Sequence, residues 1–253
     1  MDMGLHSKVA LITGGSSGLG AAAALLLAQE GCRVAVNYIE GDEKARAFAE
    51  KLKKDTGSDC LAVYGDVSKE KDADRMVEET TAKLGGLDIL VNNAACLKKN
   101  YLKDMPVEEW QLVLDVNLTG TFLLTQRAVK YFLDHGIAGK VISVISQSAF
   151  NGTGSGHAHY SASKAGIVGM SLSLAREVAK DRILVNCVAP GIIETPMVRE
   201  KIQNNKECYM RTIPVGRPAQ PVEVAYAVLF LASKMGDYLT GATIDVSGGM
   251  MMR

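Results

Sequence analysis

The chain has 253 residues, 47% of them apolar and 22% charged, with Lys+Arg and Asp+Glu each totalling 28. A net charge of zero supplies no basic field for nucleic acid or an anionic membrane surface, so a small molecule is the expected partner. The opening MDMGLHSKVALITGG lacks the basic segment and apolar stretch of a signal peptide, and the longest apolar run, Ala21 to Ala28, is too short to cross a bilayer.

Short β-branched runs alternate along the chain with longer helical patterns. Lys8–Thr13 reads as a first strand, followed by a glycine-rich turn and a helix rich in Ala and Leu. Arg33–Tyr38 follows as a strand. Asp42 then suits the cap of a helix from about Glu43 to Lys54, closed by Gly57. After the strand Cys60–Tyr64, Ser68 suits the cap of a helix with Ala73, Met76, Val77, Thr80 and Leu84 on one face, ending at Gly85-Gly86. Ile89–Asn92 is a strand, and Pro106 fits the first turn of a pattern running from Glu108 to about Leu133. Strand Lys140–Ser146, helix Tyr160–Ala179, strand Ile183–Val188, helix Pro221–Ala232 and strand Thr243–Val246 complete the order. Several strands are apolar throughout, as parallel strands buried on both faces should be. No repeat or linker divides the chain. The expected fold is α/β, a doubly wound parallel sheet of the Rossmann-like type, three layers forming a single domain over 1–253.

Five cysteines (Cys32, Cys60, Cys96, Cys187 and Cys208) are odd in number and free of CxxC spacing. They read as buried structural thiols in a cytoplasmic protein. His157 and His159 read as loop histidines rather than metal ligands, because no further His or Cys lies at ligand spacing, so no metal is expected.

Two local patterns carry chemistry. Thr13-Gly14-Gly15-Ser16-Ser17-Gly18-Leu19-Gly20 joins the first strand to its helix. Glycines let the backbone turn sharply and approach a pyrophosphate, and the helix N-terminus presents free N–H groups and a positive dipole end. Tyr160 and Lys164, four apart on a helix, share a face. A nearby ammonium favours the phenolate and is expected to lower the tyrosine pKa toward the range useful for proton transfer.

TGxxxGxG at 13–20, Asp66, Asn92-Asn93-Ala94, Asn117, Ser146, Tyr160-x-x-x-Lys164 and Pro190-Gly191 occur in register over essentially the whole chain. In this the sequence resembles the single-domain short-chain dehydrogenases/reductases. The resemblance implies an NAD(P)-dependent oxidoreductase that interconverts a secondary alcohol and a ketone. Tyr160 would be the acid/base, Lys164 would hold the nicotinamide ribose and lower the tyrosine pKa, and Ser146 would bond the substrate oxygen. Asn117 would anchor a water that links Lys164 to solvent. Gly14, Ser16, Ser17, Gly18 and Leu19 would cradle the cofactor phosphates, Val67 would lie beside Asp66 at the adenine, and Tyr38 and Asn93 would also bind the cofactor. Asp66 would bond the adenine amino group, unless it is simply a loop residue ahead of Ser68. Pro190, Ile193 and Thr195 would border the nicotinamide, at the start of a substrate lid over about 192–214. Two departures stand out: Ala95 replaces a family glycine, and Gln147 occupies the place thirteen residues before Tyr160 usually given to the catalytic serine. Strand alignment prefers Ser146, with Ser148 the alternative.

Glu40, Asp42 and Glu43 follow the second strand, where they would repel an added phosphate, and Ser17 replaces an arginine frequent in NADP-binding relatives. NAD is therefore the favoured cofactor and NADP the second option, open through Lys44 or Arg46. The substrate is expected to be a small-molecule carbonyl or alcohol: a 3-oxoacyl, sugar/polyol or steroid compound. The pocket would be bordered by Cys96, Leu97, Lys98 and the stretch 151–159. A non-catalytic dinucleotide-binding sensor on the same fold is the alternative. The family resemblance also implies a homo-oligomer, a dimer or tetramer, with the tail Gly248–Met252 packed on a partner subunit or on its own sheet edge.

Overall fold

The computed structural model describes residues 2–195 and 206–252, and the remainder of the expected lid lies outside them. Seven strands form one parallel sheet: β1 (Val9–Ile12), β2 (Arg33–Tyr38), β3 (Cys60–Tyr64), β4 (Ile89–Asn92), β5 (Lys140–Val144), β6 (Leu184–Pro190) and β7 (Thr243–Val246), in the order β3-β2-β1-β4-β5-β6-β7. Strands β1 and β4 are wholly buried because helices cover both faces, which explains their unbroken apolar sequences. The order reverses at β1, which pairs with β2 on one side and β4 on the other, opening a crevice above their carboxyl ends.

On one face α1 (Gly18–Gln29), α2 (Asp42–Thr56) and the helix Pro221–Ala232 pack Leu27, Leu52 and Val228 into one core with Ile12, Val36 and Ile142 of the sheet. On the other, α3 (Glu70–Leu84), α5 (Gly120–His135) and α7 (Ala158–Val178) bring in Met76, Leu124, Phe132 and Ala175. Burying each large side chain stabilises the fold by about 1.5–3 kcal/mol. A third, smaller cluster of Ile145, Ile167, Cys187, Ala189 and Met251 lies near the carboxyl ends of β5 and β6.

Several local readings change. The single helix expected after Pro106 is α4 (Val107–Leu114), a π-helical turn (Asp115–Thr119) and α5, with Asn117 buried in the widened turn. Asp42 does not cap α2. Gly41 does, in the left-handed region at φ 73°, and the Asp42 carboxylate accepts from the Tyr38 hydroxyl and the Arg46 guanidinium. Ser68 likewise gives up the cap position to Lys69, because its N–H and hydroxyl both bond back to Asp66 Oδ1 at 2.9 and 2.8 Å. Strand β5 ends at Val144, so Ser146 stands two residues beyond it, ahead of the short helix α6 (Ser148–Asn151), while β6 runs on to Pro190. The tail folds onto its own chain: Met251 is buried and its N–H donates to Ser247 Oγ at 3.0 Å, whereas Met252 is exposed.

Cys32 and Cys187 are buried and free, and Cys60 and Cys96 partly so; the Cys208 side chain lies outside those described. Burial pushes the Cys32 thiol up to about 12 and Cys60 up to about 11, which leaves both protonated and poor nucleophiles. No described helix is long and apolar enough to cross a membrane.

Candidate active site

The glycine turn is held from two sides. Thr13 is buried, and its Oγ1 accepts from the backbone N–H groups of Asn93 and Ala94 at 2.9 and 3.0 Å. Asn93 Nδ2 returns bonds to the carbonyls of Thr13 and Gly14 at 2.9 and 3.1 Å, and Gly14 N–H donates to Asn37 Oδ1 at 3.2 Å. A Cβ on Gly20 would lie 2.3 Å from the Gly14 carbonyl oxygen, so only glycine lets α1 begin so close to β1. Ser17 precedes α1 with extended backbone and no side-chain cap, leaving the first-turn N–H groups without a capping side chain. A bare, positively polarised cradle of this shape fits the pyrophosphate of a dinucleotide.

One cleft of about 560 Å³ brings together Gly14, Ser17, Gly18, Leu19, Asn93, Ser146, Tyr160, Lys164, Pro190, Ile193 and Thr195. Ser16, Tyr38, Asp66, Val67 and Asn117 do not line it. Tyr38 is buried edge-on to Tyr64 with its hydroxyl on Asp42. Val67 packs beneath Gly120, and Asp66 binds the start of α3 through Ser68, with its own N–H on Asp72 Oδ2 at 2.8 Å. Asn117 is fully buried behind the cleft. Its Nδ2 donates to Cys96 O at 3.0 Å and Ser163 Oγ at 3.1 Å, its Oδ1 accepts from Cys96 N–H at 2.7 Å, and Ser163 donates on to Tyr160 O at 2.7 Å. Every polar atom of that side chain is thus committed to protein partners, tying the π-turn to the first turns of α7.

Tyr160 and Lys164 share the inner face of α7, with Nζ 5.6 Å from the phenol ring centroid. Lys164 is buried and donates to Val144 O at 2.8 Å, and burial lowers its pKa to about 8. Tyr160 departs from expectation: burial raises its pKa to about 12, and a hydrogen bond with Ser146 only holds the rise back. The ammonium is turned to a backbone carbonyl, so desolvation outweighs its attraction for a phenolate. Ser146 faces the cleft, whereas Ser148 sits behind it, buried, and donates to Ser146 from its hydroxyl at 3.0 Å and its N–H at 3.1 Å. Asn92, buried in β4, donates to Thr125 Oγ1 at 2.9 Å, bracing the central strand rather than reaching the cleft.

Among the lining residues that sequence reasoning missed are Gln147 and Tyr209. Tyr209 arrives on the helix Lys206–Thr212, to which no sequence pattern pointed. His157 lines the cleft from the loop, with Nδ1 at 2.7 Å from Lys98 O.

A family model described as Enoyl-(Acyl carrier protein) reductase matches residues 14–251. A short-chain type dehydrogenase/reductase from Mycobacterium marinum superposes with a TM-score of 0.93 at 35% identity, covering 98% of this chain and 97% of that one. The chain belongs to the short-chain dehydrogenase/reductase family. This enzyme is 41% identical over 246 residues to a Staphylococcus aureus 3-oxoacyl-[acyl-carrier-protein] reductase FabG, covering 97% of this chain and 99% of the relative. It is 39% identical over 250 residues to the Aquifex aeolicus 3-oxoacyl-[acyl-carrier-protein] reductase FabG, covering 99% and 100%.

These relatives correct the preference for NAD, because such reductases use NADPH. The acidic stretch after β2 misled for a physical reason. Asp42, read as repelling a phosphate, has its charge offset by Arg46 at 2.7 Å and its oxygen occupied by Tyr38, while Glu40 and Glu43 point to solvent.

Proposed function

We propose that this oxidoreductase reduces the ketone of a 3-oxoacyl thioester to the secondary alcohol, with NADPH as the reductant. The observation that carries the reading is the joining of Ser146, Tyr160 and Lys164 to the glycine cradle in one cleft, on a chain 41% identical to a named 3-oxoacyl reductase. When bound, the nicotinamide supplies the hydride. Ser146 donates a hydrogen bond to the ketone oxygen and polarises it. Tyr160, protonated at neutral pH with its pKa near 12, gives its proton to that oxygen as negative charge develops there. Lys164, still cationic below about pH 8, steadies the phenolate left behind and holds the nicotinamide ribose. Asn117 acts through Ser163, fixing the turn of α7 that carries the phenol.

Within the cleft Gly14, Ser17, Gly18, Leu19 and Asn93 would hold the pyrophosphate, and Pro190, Ile193 and Thr195 would border the nicotinamide, while Ser16, Tyr38, Asp66 and Val67, which do not line it, would meet the cofactor only beyond the cleft. Lys44 and Arg46, both exposed just beyond β2, are the cations proposed to meet the extra phosphate of NADPH, with Arg46 exchanging its Asp42 partner for it. The acyl group is carried by an acyl carrier protein, as the relatives' names state for them. The enzyme works as a dimer or tetramer, since Val107, Leu112 and Phe122 on α4 and α5 are exposed apolar side chains that a partner subunit would cover.

The test is absorbance-monitored oxidation of NADPH with acetoacetyl and trans-2-butenoyl thioesters in parallel. Turnover of the first and none of the second is expected; turnover of the enoyl thioester alone would assign a different reduction to the cleft.

A further inference from the structure

Gln147 directly follows Ser146, and both line the cleft. Its backbone is pinned, with N–H donating to Pro190 O at 3.0 Å and the carbonyl accepting from Phe150 N–H at 3.0 Å. Its side chain is not. Among the described residues Nε2 reaches only the thioether of Met250, a weak acceptor, at 3.7 Å. Oε1 is buried and accepts no hydrogen bond from any described residue. Folded proteins rarely leave a buried amide so poorly matched, because each unpaired polar atom carries its desolvation cost. The terminal torsion of glutamine is soft, so either end of the amide can be turned toward a ligand.

The charges around the cleft narrow what that ligand is. Lys164 and His157 are its only described cationic or cation-forming lining residues; the first bonds Val144 O and serves the phenolate and the nicotinamide ribose in the proposed reaction, and the second has a ring nitrogen at Lys98 O. Among the described residues a substrate carboxylate would find no cation left to it beside the reacting carbon, whereas a neutral oxygen needs only a neutral donor.

We infer that Gln147 is a specificity-determining residue whose amide N–H donates to the thioester carbonyl of a 1,3-dicarbonyl acyl substrate. The ketone, on the far side of the intervening methylene carbon, is held by Ser146 and Tyr160. Adjacent residues thus read the two carbonyls on either side of one methylene carbon, and a simple ketone offers Gln147 nothing to bind. This inference rests on the proposed 3-oxoacyl reductase activity and assigns the part of the cleft that recognises the acyl group.

The experiment compares wild type, Gln147→Met and Gln147→Glu on acetoacetyl-N-acetylcysteamine and on 2-hexanone, with melting temperatures alongside. Methionine is close in size and has no donor. It should lower the ratio of kcat/KM for the thioester over the ketone at least tenfold, yet melt no lower than wild type because the unpaired oxygen is gone. Glutamate, which cannot donate when ionised, should lower the ratio at least as far. An unchanged ratio in both variants, or equal losses on both substrates with a lowered melting temperature, overturns the assignment of Gln147 alone. Wild-type turnover of the ketone with none of the thioester overturns the reductase reading and this inference with it.

Discussion

At the scale of single residues, the site depends on what burial does to two titratable groups. Lys164 ionises near 8 in the folded chain instead of its ordinary 10.5. Between those values the unfolded chain binds more protons, so this group's contribution to stability rises with pH from about 8 to 10.5. A shift of that size corresponds to about 3 kcal/mol of destabilisation at neutral pH. Replacing Lys164 with Met also strips the Val144 carbonyl of its donor, a cost that does not vary with pH. Urea unfolding of wild type and Lys164→Met should therefore show the variant losing about 3 kcal/mol relative to wild type between pH 7 and pH 10.5. A difference that stays constant with pH would mean that the amine keeps its ordinary pKa in the folded chain. In catalysis the sign is opposite: kcat/KM for reduction should fall as pH rises through about 8, because the cation that steadies the phenolate is lost.

At the scale of elements, the glycine turn is the most constrained joint in the molecule. Gly20→Ala would force a Cβ to within 2.3 Å of Gly14 O and 2.6 Å of Asn93 Nδ2, breaking the contact that fixes the turn to β4. It should cost about 1–3 kcal/mol of stability and weaken dinucleotide binding at least tenfold, measurable by NADPH fluorescence titration. Unchanged affinity would show that the turn does not hold the phosphates. This turn was legible in the sequence because its requirements are local, a bend with no room for Cβ. Strands β2, β3, β4 and β7 were legible for a similar reason, as short β-rich runs set off by turns and helices. The π-turn was not. It depends on Asn117 meeting Cys96 and Ser163, residues distant in sequence, and local spacing reads straight through it as one helix. Asp42 and Ser68 were misread as caps because each found a tertiary or short-loop partner that competes with the helix N-terminus. In the site, Tyr160 and Lys164 follow from helical spacing, but the direction of the tyrosine pKa shift depends on the Val144 carbonyl drawing the ammonium away. Gln147 appeared only as a disturbance of family spacing, since an unpaired amide shows itself only once its surroundings are in place.

At the scale of the whole molecule, the reversal of strand order at β1 sets the crevice where the glycine turn, the end of β5 and the start of α7 meet. The exposed Val107, Leu112 and Phe122 bear on assembly. Light scattering should return the mass of a dimer or tetramer, and Phe122→Asp should shift it toward the monomer; a monomeric wild type would contradict that reading. The account as a whole turns on Tyr160 as the proton donor in a reductase cleft. Its most direct test is the Tyr160→Phe variant, assayed for NADPH-dependent reduction of a 3-oxoacyl thioester alongside NADPH affinity. Turnover should fall by about 10²–10⁴ while affinity stays within about twofold of wild type, because the lost hydroxyl serves the chemical step. Turnover that survives the substitution would contradict the account.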